Sequence, residues 1–293
     1  MERRIENVVD DDGRCSCVVS DMQRSEYDAI QRMNASSLKA GLIGSFDVDP
    51  VLIREAFEQT REEPTATMQD SYDRGTLTHL ILLEPEKVVD RVAVWKGDRR
   101  AGGEWKEFNE QNAGKLIMRE RDVHEVQKAC RAVRSVRAVN DLLMRRHATE
   151  LSVFGKKSKT FLRGMIDCVT SDEGPVTLID LKTTSRGIDE DSVFRTIRKL
   201  KYREQLALYA DLYEQATGRH VEAVYLLFVA LDVIGVRLAK LTTSALQFGL
   251  ARMVSAIEAV EKCIEDGEWP VFYGESIMDC SSWEVDDLEI EGV

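Results

Sequence analysis

The 293-residue chain has no CxxC pair: its six cysteines stand at 15, 17, 130, 168, 263 and 280. That spacing offers neither a disulfide framework nor a four-thiolate cluster, so the thiols are expected as small buried hydrophobes. No apolar run approaches the roughly 20 residues that cross a bilayer, which excludes a helical membrane span. The opening MERRIENVVDDDGR lacks the apolar centre of a secretory leader, so a cytoplasmic protein is expected. Positive charge is also short. A net charge of −12 and a pI of about 5.0 argue against a passive nucleic-acid coat, while leaving room for a local basic groove. Internal repeats and low-complexity segments are missing as well.

What is present reads as one α/β unit. Residues 1–25 are polar and lack apolar periodicity, which predicts a flexible tail. Helices are expected over 26–43 (broken or capped at Asn34), 50–61, 119–147, 192–217 and 243–266, with a helical apolar face at Leu77, Leu80, Ile81 and Leu83. Strands are expected over 88–95, 150–155, 160–169, 176–183, 220–230 and 234–241. The order predicts an α/β fold with a central mixed β-sheet flanked by helices, in a single domain over 26–275 followed by an acidic tail over 276–293.

The stretch 161–209 carries the chemistry. Asp167 and Asp180 each interrupt an apolar strand, and Lys182 follows Asp180 by two residues. Strand period 2 puts Asp180 and Lys182 on one face and turns Ile179 and Leu181 into a core. Two carboxylates beside an amine are expensive to hold together unless a cation and an anionic substrate come between them. Hard carboxylate oxygens suit Mg²⁺, and His79, if it completes the set, suits Mn²⁺ better. Lys182 could then orient or deprotonate an attacking water, or stabilise the developing phosphate charge. Gly75, one turn before His79, permits close approach of a neighbouring element. Tyr202, Gln205 and Tyr209 share a helix face and could line the same wall.

Two basic features are weaker. Lys128, Arg131, Arg134 and Arg137 recur every three residues along the expected 119–147 helix. Arg99 and Arg100 lie in a loop between Trp95 and Trp105, where charge and stacking could grip a strand as readily as two tryptophans could anchor a loop.

Read in order, G-T-L-T-H at 75–79, Glu150, R-G-M-I-D at 163–167, I-D-L-K-T-T at 179–184 and Y-R-E-Q-L-A-L-Y at 202–209 resemble the PD-(D/E)XK nucleases of the RecB branch. Among these the chain most resembles the exonuclease VIII (RecE-type) group of phages and prophages. SSLK at 36–39, HLILLEPEKV at 79–88, R-x-G-G-E-W-K-E-F at 100–108 and GEWP at 267–270 carry the resemblance over 27–272.

The resemblance implies a restriction-endonuclease-like core and a Mg²⁺- or Mn²⁺-dependent exonuclease that hydrolyses linear duplex DNA from an end. It implies His79, Asp167, Asp180 and the Leu181 carbonyl as metal ligands. Lys182 would be the catalytic lysine, acting with Asp167, Asp180 and Gln205, and Glu150 an acidic position of unassigned role. Tyr202, Gln205, Tyr209, Arg163, Arg100, Arg131 and Arg134 are the expected DNA contacts. It further implies a ring-like trimer or tetramer, with a single-strand annealing protein as partner. Iron–sulfur relatives carry four clustered cysteines, which Cys263 and Cys280 do not supply, so no such cluster is expected. A structure-selective or single-strand endonuclease, and an inactive module that binds DNA ends, are the alternative readings.

Overall fold

A computed structural model describes residues 5–9, 15–20, 22–30, 32–44, 47–59, 64–97, 99–170, 174–185 and 187–270; the acidic stretch 276–293 lies outside them. The elements begin with β1 (Ile5–Val9), β2 (Cys15–Val19), α1 (Arg24–Ala29), β3 (Met33–Asn34), α2 (Ala35–Ala40), α3 (Pro50–Glu58) and α4 (Ala66–Leu83). After one 3₁₀ turn come α5 (Val88–Arg91), β4 (Val92–Trp95), α6 (Gly103–Gln111), β5 (Leu116–Arg119), α7 (Glu120–Ser135) and α8 (Arg137–Met144). The second half runs β6 (Arg146–Lys157), β7 (Thr160–Thr170), β8 (Val176–Thr184), α9 (Glu190–Lys199), α10 (Tyr202–Thr217), β9 (Val221–Ala230), β10 (Gly235–Leu241) and α11 (Thr243–Asp266).

The main sheet has the order β1-β2-β6-β7-β8-β9-β10 and is mixed: β8 and β9 run parallel, and the other neighbours on this path are antiparallel. A crossover through α9 and α10 supplies the length that a parallel pair requires. β4 and β5 form a separate two-stranded parallel sheet. Helices cover both faces. Leu38, Ile53, Leu206, Leu212, Met253 and Ile257 pack on one side with Leu178, Leu226 and Phe228. Leu77, Leu82, Val126, Val133 and Leu143 pack on the other with Ile179, Leu181, Leu227 and Val229. The alternation along β8 therefore falls as its sequence predicts, with Asp180 and Lys182 in phase with Leu178.

One irregularity creates the site. β7 and β8 pair only from Cys168–Thr170 to Thr177–Ile179 and then diverge. The edge of β7 that β8 gives up is taken by β3, which pairs in parallel at Leu162 and Arg163. Asp167 and Asp180 are the next residues in register, so they stand across from each other where the sheet forks.

Several boundaries differ from the sequence reading. Part of the expected tail is a hairpin: β1 pairs with β2, and β2 extends the sheet by pairing Cys17–Val19 with Ser152–Phe154 of β6. The 88–95 strand starts only at Val92, after a helical turn. The 119–147 helix is two helices, broken at an extended Val136 (ψ 100°). The break follows from burial. At about 100° per residue, Val139 and Leu143 of an unbroken helix would point about 130° and 90° away from the face of the buried Val126, Ala129, Cys130 and Val133. Restarting at Arg137 turns both back into the core. The 192–217 helix is likewise split, by Lys201 in the left-handed region (φ 54°). Cys130, Cys168 and Cys263 are free and buried, as expected of small hydrophobes.

Candidate active site

The carboxylate fork is held by backbone. The Leu181 N–H donates to Asp167 Oδ2 at 2.7 Å, which ties β7 to β8 one residue beyond their last pair. Asp180 is 2% exposed, and apart from the Lys182 ammonium neither of its oxygens has a donor among the described residues. Lys182 Nζ stands 2.7 Å from Asp180 Oδ2 and forms an ion pair with it. Burial pushes the Asp180 carboxyl up to about 6, with Lys182 pulling against it and Asp167 adding to it. For Lys182, burial opposes the charge, but Asp180 and Asp167 outweigh it and hold the ammonium above the ordinary lysine range.

His79 closes the fork from α4. Its Nε2 lies 3.1 Å from the Leu181 carbonyl and 3.9 Å from Asp167 Oδ2, and its Nδ1 lies 3.4 Å from Glu150 Oε1. Burial would lower the imidazole, but Asp167 and Glu150 outweigh that and lift it to about 9. Glu150 reaches this position with φ at 47°, a left-handed backbone rare for a residue with a side chain and a mark of local constraint. Gly75, one turn before His79, lies against β8: a Cβ there would be 3.2 Å from Thr183 Oγ1.

This set fits a divalent cation. One ligand atom each from His79, Glu150 and Asp167 lie within 4.8 Å of one another. Asp180, whose two oxygens are buried, and the Leu181 carbonyl add hard oxygen donors beside them. A buried carboxylate without donors is costly unless a cation neutralises it. The mixed oxygen and imidazole donors suit Mg²⁺ or Mn²⁺.

A wall of lysines and a tyrosine stands beside the fork. The Tyr202 ring has Lys182 Nζ 5.1 Å from its centroid and Lys39 Nζ 5.5 Å from it. A cleft of about 380 Å³ opens from Lys182 along Thr183 and Thr184, between Arg74 of α4 and Lys199 of α9. Arg74 is held there by Asp232 at 3.0 Å and Glu125 at 3.4 Å.

The structure thus brings together His79, Glu150, Asp167, Asp180, the Leu181 carbonyl, Lys182 and Tyr202. It places other expected residues elsewhere. Gln205 accepts from Lys39 Nζ at 2.7 Å rather than holding Lys182. Tyr209 is buried beneath β7, where its ring would meet any Cβ on Gly164 at 2.7 Å, so it supports the strand. Gly164→Val should therefore cost about 1–3 kcal/mol by overpacking, measured by denaturant unfolding.

Arg163 is spent on α1, donating to the Tyr27 carbonyl with its guanidinium 4.6 Å from the Tyr27 ring centroid. Arg134 donates to the Leu82 carbonyl at 2.8 Å and so caps α4, and Arg100 holds the Ile117 carbonyl at 2.8 Å and Asp70 at 3.3 Å. Of the arginines expected on DNA, Arg131 is exposed on α7. The two tryptophans anchor a loop: Trp95 packs on Trp105 at 5.4 Å and on Phe108 at 5.1 Å. Sequence reasoning missed Lys39. SSLK marked its position, but nothing in the local pattern joins it to a helix more than 160 residues later.

Residues 54–281 match a family described as "PDDEXK-like domain of unknown function (DUF3799)". No curated protein matches the sequence. Among solved structures, the chain is similar to a crystal structure named "Putative exonuclease" from Eubacterium rectale: TM-score 0.57 and 15% identity, covering 93% of this chain and 99% of that one. At that identity the likeness shows the fold. SSO0001 (TM-score 0.29, 13% identity, 67% of this chain and 86% of that one) and VC1899 from Vibrio cholerae (0.22, 12%, 69% and 53%) share too little to argue from.

Proposed function

Because this chain belongs to the PDDEXK-like family, a restriction-endonuclease-like nuclease fold, we propose that it is a divalent-metal-dependent exodeoxyribonuclease that degrades linear duplex DNA from an end. The observation that carries this reading is Asp180, buried across the sheet fork from Asp167, with Lys182 at 2.7 Å as its one ion-pair partner among the described residues. That arrangement serves a bound metal and a phosphodiester better than it serves stability. The RecE-like order of motifs and the name "Putative exonuclease" carried by the Eubacterium rectale neighbour support the exonuclease form.

A cation held by His79, Glu150, Asp167, Asp180 and the Leu181 carbonyl would supply Lewis acidity and neutralise phosphate charge. The chain's own residues do the rest. Asp167 is fixed by the Leu181 N–H, so a ligand oxygen is preset without reorganisation. Lys182, on the same face as Asp180, presents N–H donors to a phosphate oxygen or to the attacking water. Tyr202 walls the lysine from bulk solvent. Thr183 and Thr184 line the cleft along which the strand would continue.

End dependence is tested with end-labelled linear duplex and covalently closed circular plasmid in Mg²⁺ and in Mn²⁺. Loss of the linear DNA alone is expected. Cutting of the circle would replace this reading with an endonuclease, and tight binding without cleavage would replace it with an end-binding module.

A further inference from the structure

Lys39, the last residue of SSLK, belongs to the site wall and has no part in the metal chemistry. It lies on α2 after the Asn34 cap, and its Nζ donates to the Leu200 carbonyl at 3.2 Å and to Gln205 Oε1 at 2.7 Å. Among the described residues it makes no ion pair. Both acceptors come from the α9–α10 break. Lys201, in its left-handed conformation, ends α9 there, and its own Nζ donates to the Lys39 carbonyl. The two segments are laced together from both sides, and Lys39 and Lys182 both approach the Tyr202 ring.

An ammonium group has donors and no acceptor, so the atom of the Gln205 amide that faces Lys39 must be its oxygen. The amide is thereby held in one of its two orientations. Its NH₂ end is turned away from Lys39, and no protein acceptor for it is present among the described residues. Burial, and after it repulsion from Lys182, bring the Lys39 ammonium down to about 8 against the pull of Asp180 and Glu204. A buried cation without a carboxylate partner is a poor stabiliser of a fold.

We propose that Lys39 is a positioning residue: it fixes the Gln205 amide with Oε1 inward, so that the Nε2 hydrogens are presented to a phosphate oxygen of the DNA strand lying beside Lys182. The proposal rests on the nuclease reading and gives Gln205 a defined role within it, that of a neutral donor aimed by a charged one. Lys39 itself need not touch the substrate.

The test is a double-mutant cycle over Lys39→Met and Gln205→Ala. It is read as duplex binding in Ca²⁺ and as cleavage rate in Mg²⁺, with Lys182→Ala alongside. Each single variant should lose about 10-fold or more in kcat/KM, the order expected for a donor to a charged oxygen, and the double variant should lose no more than the worse single one. Lys39→Arg, which keeps a donor to Oε1, should recover part of the loss. In wild-type protein the side-chain amide resonances of Gln205 should shift when duplex is added, and in Lys39→Met they should not. A merely structural lysine would lower the melting temperature without moving that amide signal.

Losses that multiply in the double variant, or a silent Lys39→Met, would overturn the positioning role while cleavage and its loss in Lys182→Ala still uphold the nuclease. A wild-type chain that binds duplex and never cuts would overturn the nuclease reading, and the Ca²⁺ binding cycle would then decide the role of Lys39 alone. A chain that neither binds nor cuts duplex would overturn both.

Discussion

Lys182→Met should reduce metal-dependent cleavage of duplex DNA by about 10²–10³-fold, the loss that follows removal of one preorganised donor from a charged transition state. The variant should also be less stable in chelator. Asp180 would keep its burial and lose its ion-pair partner, so its carboxyl would move further up than about 6. Adding Mn²⁺ should return part of the lost melting temperature, because a bound cation replaces the missing charge. Rates measured on end-labelled duplex, with melting curves in chelator and in Mn²⁺, check both halves. Retention of more than half the activity would remove Lys182 from the chemistry.

The largest effect on stability is expected away from the fork. Glu204 is completely buried on α10 and accepts from Arg203 at 2.9 Å and from Arg252 of α11, which also donates to the Gly44 carbonyl. Burial pushes the Glu204 carboxyl up, but Arg203, the backbone and Arg252 outweigh it and leave the group below its ordinary range. Arg252→Met leaves that carboxylate half-paired in the core and unties the segment that follows α2. Breaking a buried pair from one side costs about 3–5 kcal/mol. For a chain of this length that is a fall of roughly 5–15 °C in melting temperature.

A depressed carboxyl contributes stability that is full above its unfolded value and is lost as pH falls through its folded one. The gap between wild type and variant should therefore be widest near neutral pH and close on the acid side of the ordinary glutamate range. Melting curves from neutral to acid pH measure it. A gap independent of pH would mean that Arg252 acts through packing alone. Because α10 also carries Gln205 and α2 carries Lys39, activity should fall with this variant even below its melting range.

The parts of the site that were legible in the sequence are those fixed by local rules. Period 2 put Asp180 and Lys182 on one face of β8, and a glycine one turn before His79 foretold the close approach to Thr183. The mixed sheet followed from the order of strands and helices between 146 and 241. Features that depend on distant partners were not legible. Arg134, Arg100 and Arg163 read as free basic groups, yet each is bound to a backbone carbonyl of another element. Helix propensity carried the reading across Val136 and Lys201, where the core needed a change of direction. Apolar periodicity was too short in 5–9 and 15–19 to announce a strand pair whose second member joins β6, some 130 residues on. Lys39 was invisible for the same reason, since Leu200 and Gln205 reach it only through the fold.

The measurement that bears most directly on the account is cleavage of an end-labelled linear duplex by the purified chain in Mg²⁺, in Mn²⁺ and in chelator, with Asp180→Asn beside it. The fork of Asp167, Asp180 and His79 predicts degradation in either metal, none in chelator, recovery when metal is returned, and loss of activity in the variant. Degradation that persists in chelator, or that Asp180→Asn leaves intact, would contradict a metal-dependent centre at this fork.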